Sequence, residues 1–200
     1  IQQLSANFEK QHTQWHPSNQ GSLLAKINKQ MQVSKTAKID TSLLELINLA
    51  KLYSKQSENL FNPAIGQLVD LWHFDQAVLD KLEVDELEIA KPPSEKTIQY
   101  LLTLKPLMSD LVIDKQQLTS SNNSVKLDLG AFAKGYAVDL AIKTIKEAGF
   151  KNALVNAGGD IKALGSKGDK AWKIGIRNPF YQQQVDIPVL ASMEIRDNES

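Results

Sequence analysis

Cysteine is absent from these 200 residues. That excludes disulfides and thiolate metal sites, and it assigns no compartment. Histidine is nearly absent too. The three present, at positions 12, 16 and 73, are too scattered for a histidine-rich zinc site. No charge of one sign dominates. Lys plus Arg and Asp plus Glu both number 23, so electrostatics alone argues for neither nucleic acid nor an anionic membrane as partner. No apolar run approaches the roughly 20 residues that span a bilayer. Neither G-x-G-x-x-G nor G-x-x-x-x-G-K-[ST] occurs, so the dinucleotide fingerprint and the P-loop are both excluded. Internal repeats, low-complexity tracts and a separating linker are also missing, which predicts one domain over 1–200. There is no signal-peptide pattern at Ile1. The sequence opens without Met and in mid-helix, which predicts a further N-terminal piece.

What is present suffices for a sizeable core: 42% of the residues are hydrophobic. Ile1, Leu4 and Phe8 stand at helical spacing, and WHPSNQG reads as a loop. SLLAKINKQM can form a short helix. Ser42 and Glu45 have capping-box spacing, and Leu43, Ile47, Ala50 and Tyr53 make one stripe, which predicts a helix over 42–56. PAIGQLVDLWHF predicts a shorter helix with Leu68, Leu71 and Trp72 turned inward. Residues 75–95 are acidic, end in KPPSE and read as a surface insertion, with a helix near 94–104 after them. LVIDKQQLTSSNNSVKLDLG offers two strands around a polar turn, for which TSSNNS is the candidate. A helix over 131–148 stops at Gly149. NALVNAGG reads as a buried strand, AWKIGIRNP as another, and VDIPVLASMEIRD as one or two more. The expected class is α+β, with mixed sheets packed by helices. A strand close to Ser200, with nothing after it to cover the sheet, predicts that the polypeptide continues.

The stretch VKLDLGAFAKGYAVD, residues 125–139, concentrates the chemistry. A helix start offers unpaired N–H groups and partial positive charge. Gly130 lets the backbone approach a ligand, and Lys134 adds a full positive charge. Together they suit a phosphate or diphosphate. Asp128, at a strand end, can accept hydrogen bonds from a base or ribose or help hold a cation. Packing explains the same pattern: Ala133, Ala137 and Ala141 form a small-residue face. In NAGGDI, Gly158 and Gly159 imply a tight turn or a close backbone contact, and Asp160 either points into a site or caps that turn. Phe61 can meet a planar ring or join the core. Trp15, in a polar loop, can stack on a flat heterocycle or cover the core.

Taken together, these segments resemble one family. LDLGAFAKGYAVD, EAGFKNALVNAGGDI and WKIGIRNP, with SLLAKIN and SENLFNPAIGQLVDLWHF upstream, are similar in order and spacing to the ApbE-type flavin transferases (FAD:protein FMN transferases, formerly called thiamine biosynthesis lipoproteins). The likeness covers nearly all 200 residues. It implies binding of FAD with Mg²⁺, transfer of the FMN half to a threonine hydroxyl of a partner protein, and release of AMP. Targets would be subunits of membrane redox complexes. Alternatives within and beside the family are an FAD pyrophosphatase giving FMN and AMP, and a non-catalytic flavin-binding lipoprotein. Bacterial members imply a periplasmic, inner-membrane lipoprotein whose anchoring cysteine would lie upstream of this chain.

Carried over by position, Asp128, Gly130 and Lys134 fall in the FAD-contacting turn. Ala131 matches a Mg²⁺ position and offers only its main-chain carbonyl. Leu60, Phe61 and Asn62 match the segment along the FAD, and Trp15 matches the aromatic beside the flavin. Three positions depart from the family: Asn59 replaces Gly, Asn62 replaces Asp and His73 replaces Gly. The family's T-S-G segment, its H-x-x-D-P-x-x-G segment and a late Asp and Thr of the metal site have no counterpart here. A chain without them is expected to bind Mg²⁺ poorly.

Overall fold

The computed structural model describes residues 21–72, 92–180 and 188–196. The expected first helix, the Trp15 loop, His73 and most of the acidic insertion lie outside them. The described residues form two compact units, 21–133 and 134–196.

In the first unit, α1 (Leu23–Ser34) opens at Ser22, a wholly buried cap whose hydroxyl accepts from the Ala25 N–H at 3.0 Å. Leu24, Ile27 and Met31 face the core. Strand β1 (Thr36–Lys38) follows, then α2 (Thr41–Gln56). Helix α2 starts earlier than the Ser42–Glu45 spacing implies. Its N-cap is Asp40, whose carboxylate accepts from the Ser42 N–H at 2.9 Å. An aspartate one residue before the helix outcompetes a serine inside it, because a carboxylate accepts more strongly at the positive helix end. Hydrogen bonds from Ser42, hydroxyl first and N–H second, hold the Asp40 carboxyl below its ordinary pKa.

The inward stripe of α2 is Leu43, Leu46, Ile47, Ala50 and Ser54. Tyr53, expected within it, is 43% exposed at its margin. The fully buried Leu43, Leu46 and Ile47 are each worth about 1.5–3 kcal/mol of transfer free energy. Lys51, on the same helix, donates to the Leu111 carbonyl, and burial lowers its ammonium pKa.

Helix α3 (Gly66–Leu71) covers only the middle of the predicted helix. Residues 63–65 are instead drawn into pairing with 126–128, and Trp72, expected inward, is 40% exposed. Helix α4 (Glu95–Leu104) starts at Ser94, whose hydroxyl accepts from the Thr97 N–H at 3.2 Å. Strands β2 (Leu111–Asp114) and β3 (Gln117–Ser120) form a hairpin, and β1 pairs with β3, giving an antiparallel sheet of order β1-β3-β2. The hairpin turn is therefore Lys115–Gln116 and not TSSNNS. Ser120 and Asn122 turn the latter run into a loop of local bonds. Asn122 accepts from the Ser124 N–H at 2.9 Å and donates to the Leu104 carbonyl at 3.0 Å.

Residues 125–129 are extended yet belong to no sheet. Val125, Leu127 and Leu129 are buried in alternation. On one edge Lys126 and Asp128 donate to Ala64 and Pro63 at 3.1 and 2.9 Å, and Gly66 donates to Lys126 at 2.8 Å. A Cβ at Gly66 would lie 2.7 Å from the Lys126 carbonyl oxygen, so this close approach requires glycine. On the other edge stands the side chain of Asn28. Its Oδ1 accepts from the Leu127 N–H and its Nδ2 donates to the Leu127 carbonyl, both at 2.8 Å. Asn28 is 3% exposed, so its amide replaces a neighbouring strand inside the core.

Helix α5 (Gly130–Glu147) follows at once, and the boundary between the units falls inside it, after Ala133. It ends as expected at Gly149. The N–H groups of Gly149 and Phe150 donate to Lys146 and Ile145, the double bond of a Schellman motif.

In the second unit β4 (Ala153–Ala157) pairs with β5 (Asp160–Leu164), and β6 (Trp172–Arg177) pairs with β7 (Val189–Ile195), all antiparallel. β4, expected to be buried, alternates half-buried and exposed residues, with Leu154 37% exposed. Among the described residues it pairs with β5 alone, and one face stays open. The α+β class holds. No helix among the described residues is long and apolar enough to cross a membrane.

Two outcomes test this description. Asn28→Ala leaves a buried N–H and a buried carbonyl of Leu127 unpaired, so urea denaturation is expected to show a loss of about 2–4 kcal/mol. A loss within error of zero would refute the clamp. For Asp40 the folded pKa lies below the unfolded value of about 3.9. Its contribution is therefore complete above that value and lost as pH falls through the folded pKa. Asp40→Asn keeps a cap oxygen without titrating. Acid melts from pH 6 to about pH 3 are expected to lower Tm less in Asp40→Asn than in the parent.

Candidate functional site

The end of α2 is strained in a definite way. Glu58 and Asn59 both adopt left-handed backbone, φ 53° and 67°. Their N–H groups donate to Lys55 and Ser54 at 3.2 and 2.8 Å and complete a second Schellman motif. Asn59 stands where the resembling family has glycine, and asparagine is among the few residues that tolerate this conformation. The chain then presents Leu60, 92% exposed. Phe61 is half-buried and meets the edge of Phe132 at 5.8 Å. Phe132 in turn meets Tyr53 at 5.6 Å and 87°. Asn62 uses both ends of its amide: Nδ2 donates to the Pro106 carbonyl at 2.9 Å and Oδ1 accepts from the Ala64 N–H at 3.1 Å. An aspartate can make the second bond and not the first, so this departure ties the loop to Pro106.

Asp128 turns its Oδ1 to the Gly130 N–H at 2.8 Å. This bond explains an aspartate two residues before the glycine, since it fixes the bend into α5. A Cβ at Gly130 would lie 3.0 Å from the same oxygen. The Leu129 carbonyl accepts from Phe132 and Ala133 at 3.0 and 2.7 Å, so the helix starts without a break. Ala131 is exposed on its first turn. Its carbonyl, like others in a helix, points towards the N–H four residues on. Among the described residues no group of three or more His, Cys, Asp or Glu gathers that could hold a metal ion.

Lys134 lies one residue beyond the first turn of α5, within the second unit. Its ammonium is 3.4 Å from the Gly158 carbonyl oxygen and 3.3 Å from Asp160 Oδ2. The β4–β5 hairpin turns through Gly158 and Gly159, φ 59° and 102°, the signature of a two-residue type I′ turn. A second pair, Lys162 with Asp139 at 2.6 Å, joins the same strand to the same helix.

The structure thus brings Phe61 to Phe132, Asp128 to Gly130, and Lys134 to Asp160. Leu60 touches solvent, and Trp15 lies outside the described residues. Sequence reasoning left Tyr53 in the core and did not assign Phe132. Its signal, an aromatic two residues after the glycine of the turn, was available. Two open clefts of about 790 and 470 Å³ lie along β1 and the β2–β3 turn and along α2, and none of the carried-over residues lines them.

The sequence profile of the ApbE family matches residues 1–199. An FAD:protein FMN transferase of Rhodobacter capsulatus is 36% identical over 177 residues, which are 88% of this chain and 32% of the relative. One of Treponema pallidum is 29% identical over 188 residues, 90% of this chain and 50% of the relative. The chain therefore spans about a third to a half of the length of these curated relatives. Among solved structures, the ApbE protein of Thermotoga maritima superposes with a TM-score of 0.75 at 24% identity, covering 98% of this chain and 60% of that one. The flavin transferase ApbE of Vibrio cholerae gives 0.71 at 22%, covering 89% and 56%. At such identities these two likenesses establish the fold.

The left-handed pair at the end of α2 can be tested directly. Glu58→Gly removes the Cβ penalty at φ 53° and is expected to raise stability by about 1 kcal/mol in urea melts. Glu58→Ala, which keeps a Cβ, is expected to gain nothing. Equal stability of the glycine variant and the parent would sink the strain argument.

Proposed function

The chain belongs to the ApbE family, and from that membership we propose that it transfers the FMN half of FAD to a threonine hydroxyl of a target protein. The threonine oxygen forms a bond to the FMN phosphorus. The bond from that phosphorus to the bridging oxygen breaks, AMP leaves with the bridging oxygen, and the hydroxyl gives up its proton. The family match over residues 1–199 carries this reading. Support comes from the glycine–lysine turn, where Lys134 and the start of α5 offer an ammonium and helix N–H groups to the diphosphate. Asp128 has a second carboxylate oxygen for a ligand besides the one bonded to Gly130. Leu60, Phe61 and Asn62 are proposed to run along the FAD, with Trp15 beside the flavin.

The reaction is further proposed to depend on Mg²⁺, which when bound would neutralise charge on the diphosphate. The described residues do not hold the ion by themselves, since Ala131 contributes a main-chain carbonyl alone. Targets are proposed among subunits of membrane redox complexes. A periplasmic location, with a lipid anchor on an upstream cysteine, completes the proposal, as does a single flavin transferase domain that includes residues 1–200.

The test incubates the full-length protein with FAD, Mg²⁺ and a threonine-containing target peptide. A peptide that gains the mass of FMN, with AMP released, is expected. Free FMN without labelled peptide would mean hydrolysis, and FAD held without turnover would mean a binding protein. Either result overturns transfer. Lys134→Ala is expected to weaken FAD binding or transfer at least tenfold. Its thermal stability is expected to change little, because an ion pair exposed by 42% and 45% is worth less than about 1 kcal/mol. Unchanged transfer would remove Lys134 from the site.

A further inference from the structure

Lys134 is held from the hairpin side by two acceptors. The Gly158–Gly159 turn is tied internally, its Gly159 N–H donating to Asn156 Oδ1 at 3.0 Å. That leaves the Gly158 carbonyl facing the ammonium at 3.4 Å, with Asp160 Oδ2 at 3.3 Å as the second acceptor. An ammonium carries three N–H donors. Among the described residues the turn supplies these two acceptors, and an ammonium can offer a third donor to an incoming oxygen. Both partners are about half exposed, so the pair is weak enough to open or to be shared. Lys162 and Asp139 form a like pair on the same two elements, away from the turn.

We infer that Asp160 is a positioning residue for Lys134. Together with the Gly158 carbonyl it holds the ammonium in place, and its carboxylate competes with an incoming diphosphate for that ammonium. The inference rests on the reading of this turn as a site for the FAD diphosphate. Its consequence is an ammonium already paired before the ligand arrives. The anion is then drawn by an oriented donor rather than by an uncompensated cation.

The test measures FAD affinity by quenching of flavin fluorescence in the full-length protein with Mg²⁺, at low and at high salt. Asp160→Asn keeps an acceptor and removes the charge. It is expected to bind FAD about three- to fivefold tighter at low salt, the size of one exposed ion pair. The gain is expected to shrink at high salt and to vanish when Lys134→Ala is also present. Asp139→Asn, which breaks the neighbouring pair, is expected to leave affinity unchanged. Asp160→Ser serves the same purpose should the Asn variant fail to fold. Unchanged or weaker binding in the neutral variants would sink the inference while leaving the site reading intact, provided Lys134→Ala still weakens binding. A gain that persists undiminished without Lys134 would also overturn it, since Asp160 would then act on the ligand directly. No FAD binding by the unaltered protein overturns the site reading and this inference with it.

Discussion

Asn28 holds the extended segment 125–129 by its middle residue, and the placement of the glycine–lysine turn follows from that hold. An extended chain has two hydrogen-bonding edges. In this segment one edge is met by residues 63–66 and the other by a single side-chain amide from helix α1. A buried strand edge left unmet costs about 1–3 kcal/mol for each group. One carboxamide supplies both the acceptor and the donor that Leu127 needs, with no room for a slip in register. Leu129 then ends the segment where its carbonyl can receive the first bonds of α5, and the Asp128 carboxylate closes the bend. The point at which α5 begins is set by contacts made before the helix.

That hold spans 99 residues of sequence, and nothing local announces it. Asn28 reads as one polar residue in an otherwise ordinary amphipathic run. Helices α2, α4 and α5 were legible because periodicity, caps and Gly149 all lie within a few residues of one another. The errors occurred where two local signals competed. Ser42 and Glu45 have the right spacing for a cap, yet Asp40 is the stronger acceptor and sits outside the helix. TSSNNS has turn composition, yet Lys115 and Gln116 make the tight turn because β2 and β3 each present an inward residue in register across it. NALVNAGG looked buried because an apolar run does not reveal how many faces are covered. Leu154 shows that one of them is not.

The proposed site was read by a different route. Composition and spacing alone left the glycine–lysine turn divided between packing and anion binding. The family likeness selected among the possibilities, and the structure then gave physical content to the departures. Asn59 occupies a left-handed position that its Gly counterpart would fill without strain. Asn62 exchanges a carboxylate for an amide that bridges to Pro106. Neither substitution can be interpreted from sequence, since the first depends on a backbone angle and the second on a partner 44 residues away. The place of Phe132, two residues after Gly130, was visible in the sequence, whereas its partners Tyr53 and Phe61, distant along the chain, were not.

Packing and the anion binding proposed for α5 make compatible demands on the helix. Ala133 and Ala137 are 4% and 2% exposed, one turn apart on the buried face of the helix. Lys134 follows Ala133 by about 100° of rotation, so its side chain leaves from the flank of that face. Small residues on the buried face let a helix lie close to what it covers, and a lysine on the flank then has a short distance to span. The hairpin turn supplies the matching half. Its two glycines take the positive φ that the tight turn requires, and the Gly158 carbonyl oxygen stands 3.4 Å from the ammonium. Lys134 thus stands between a packing face and a hairpin turn, and the ion pair that meets it there is exposed enough to open.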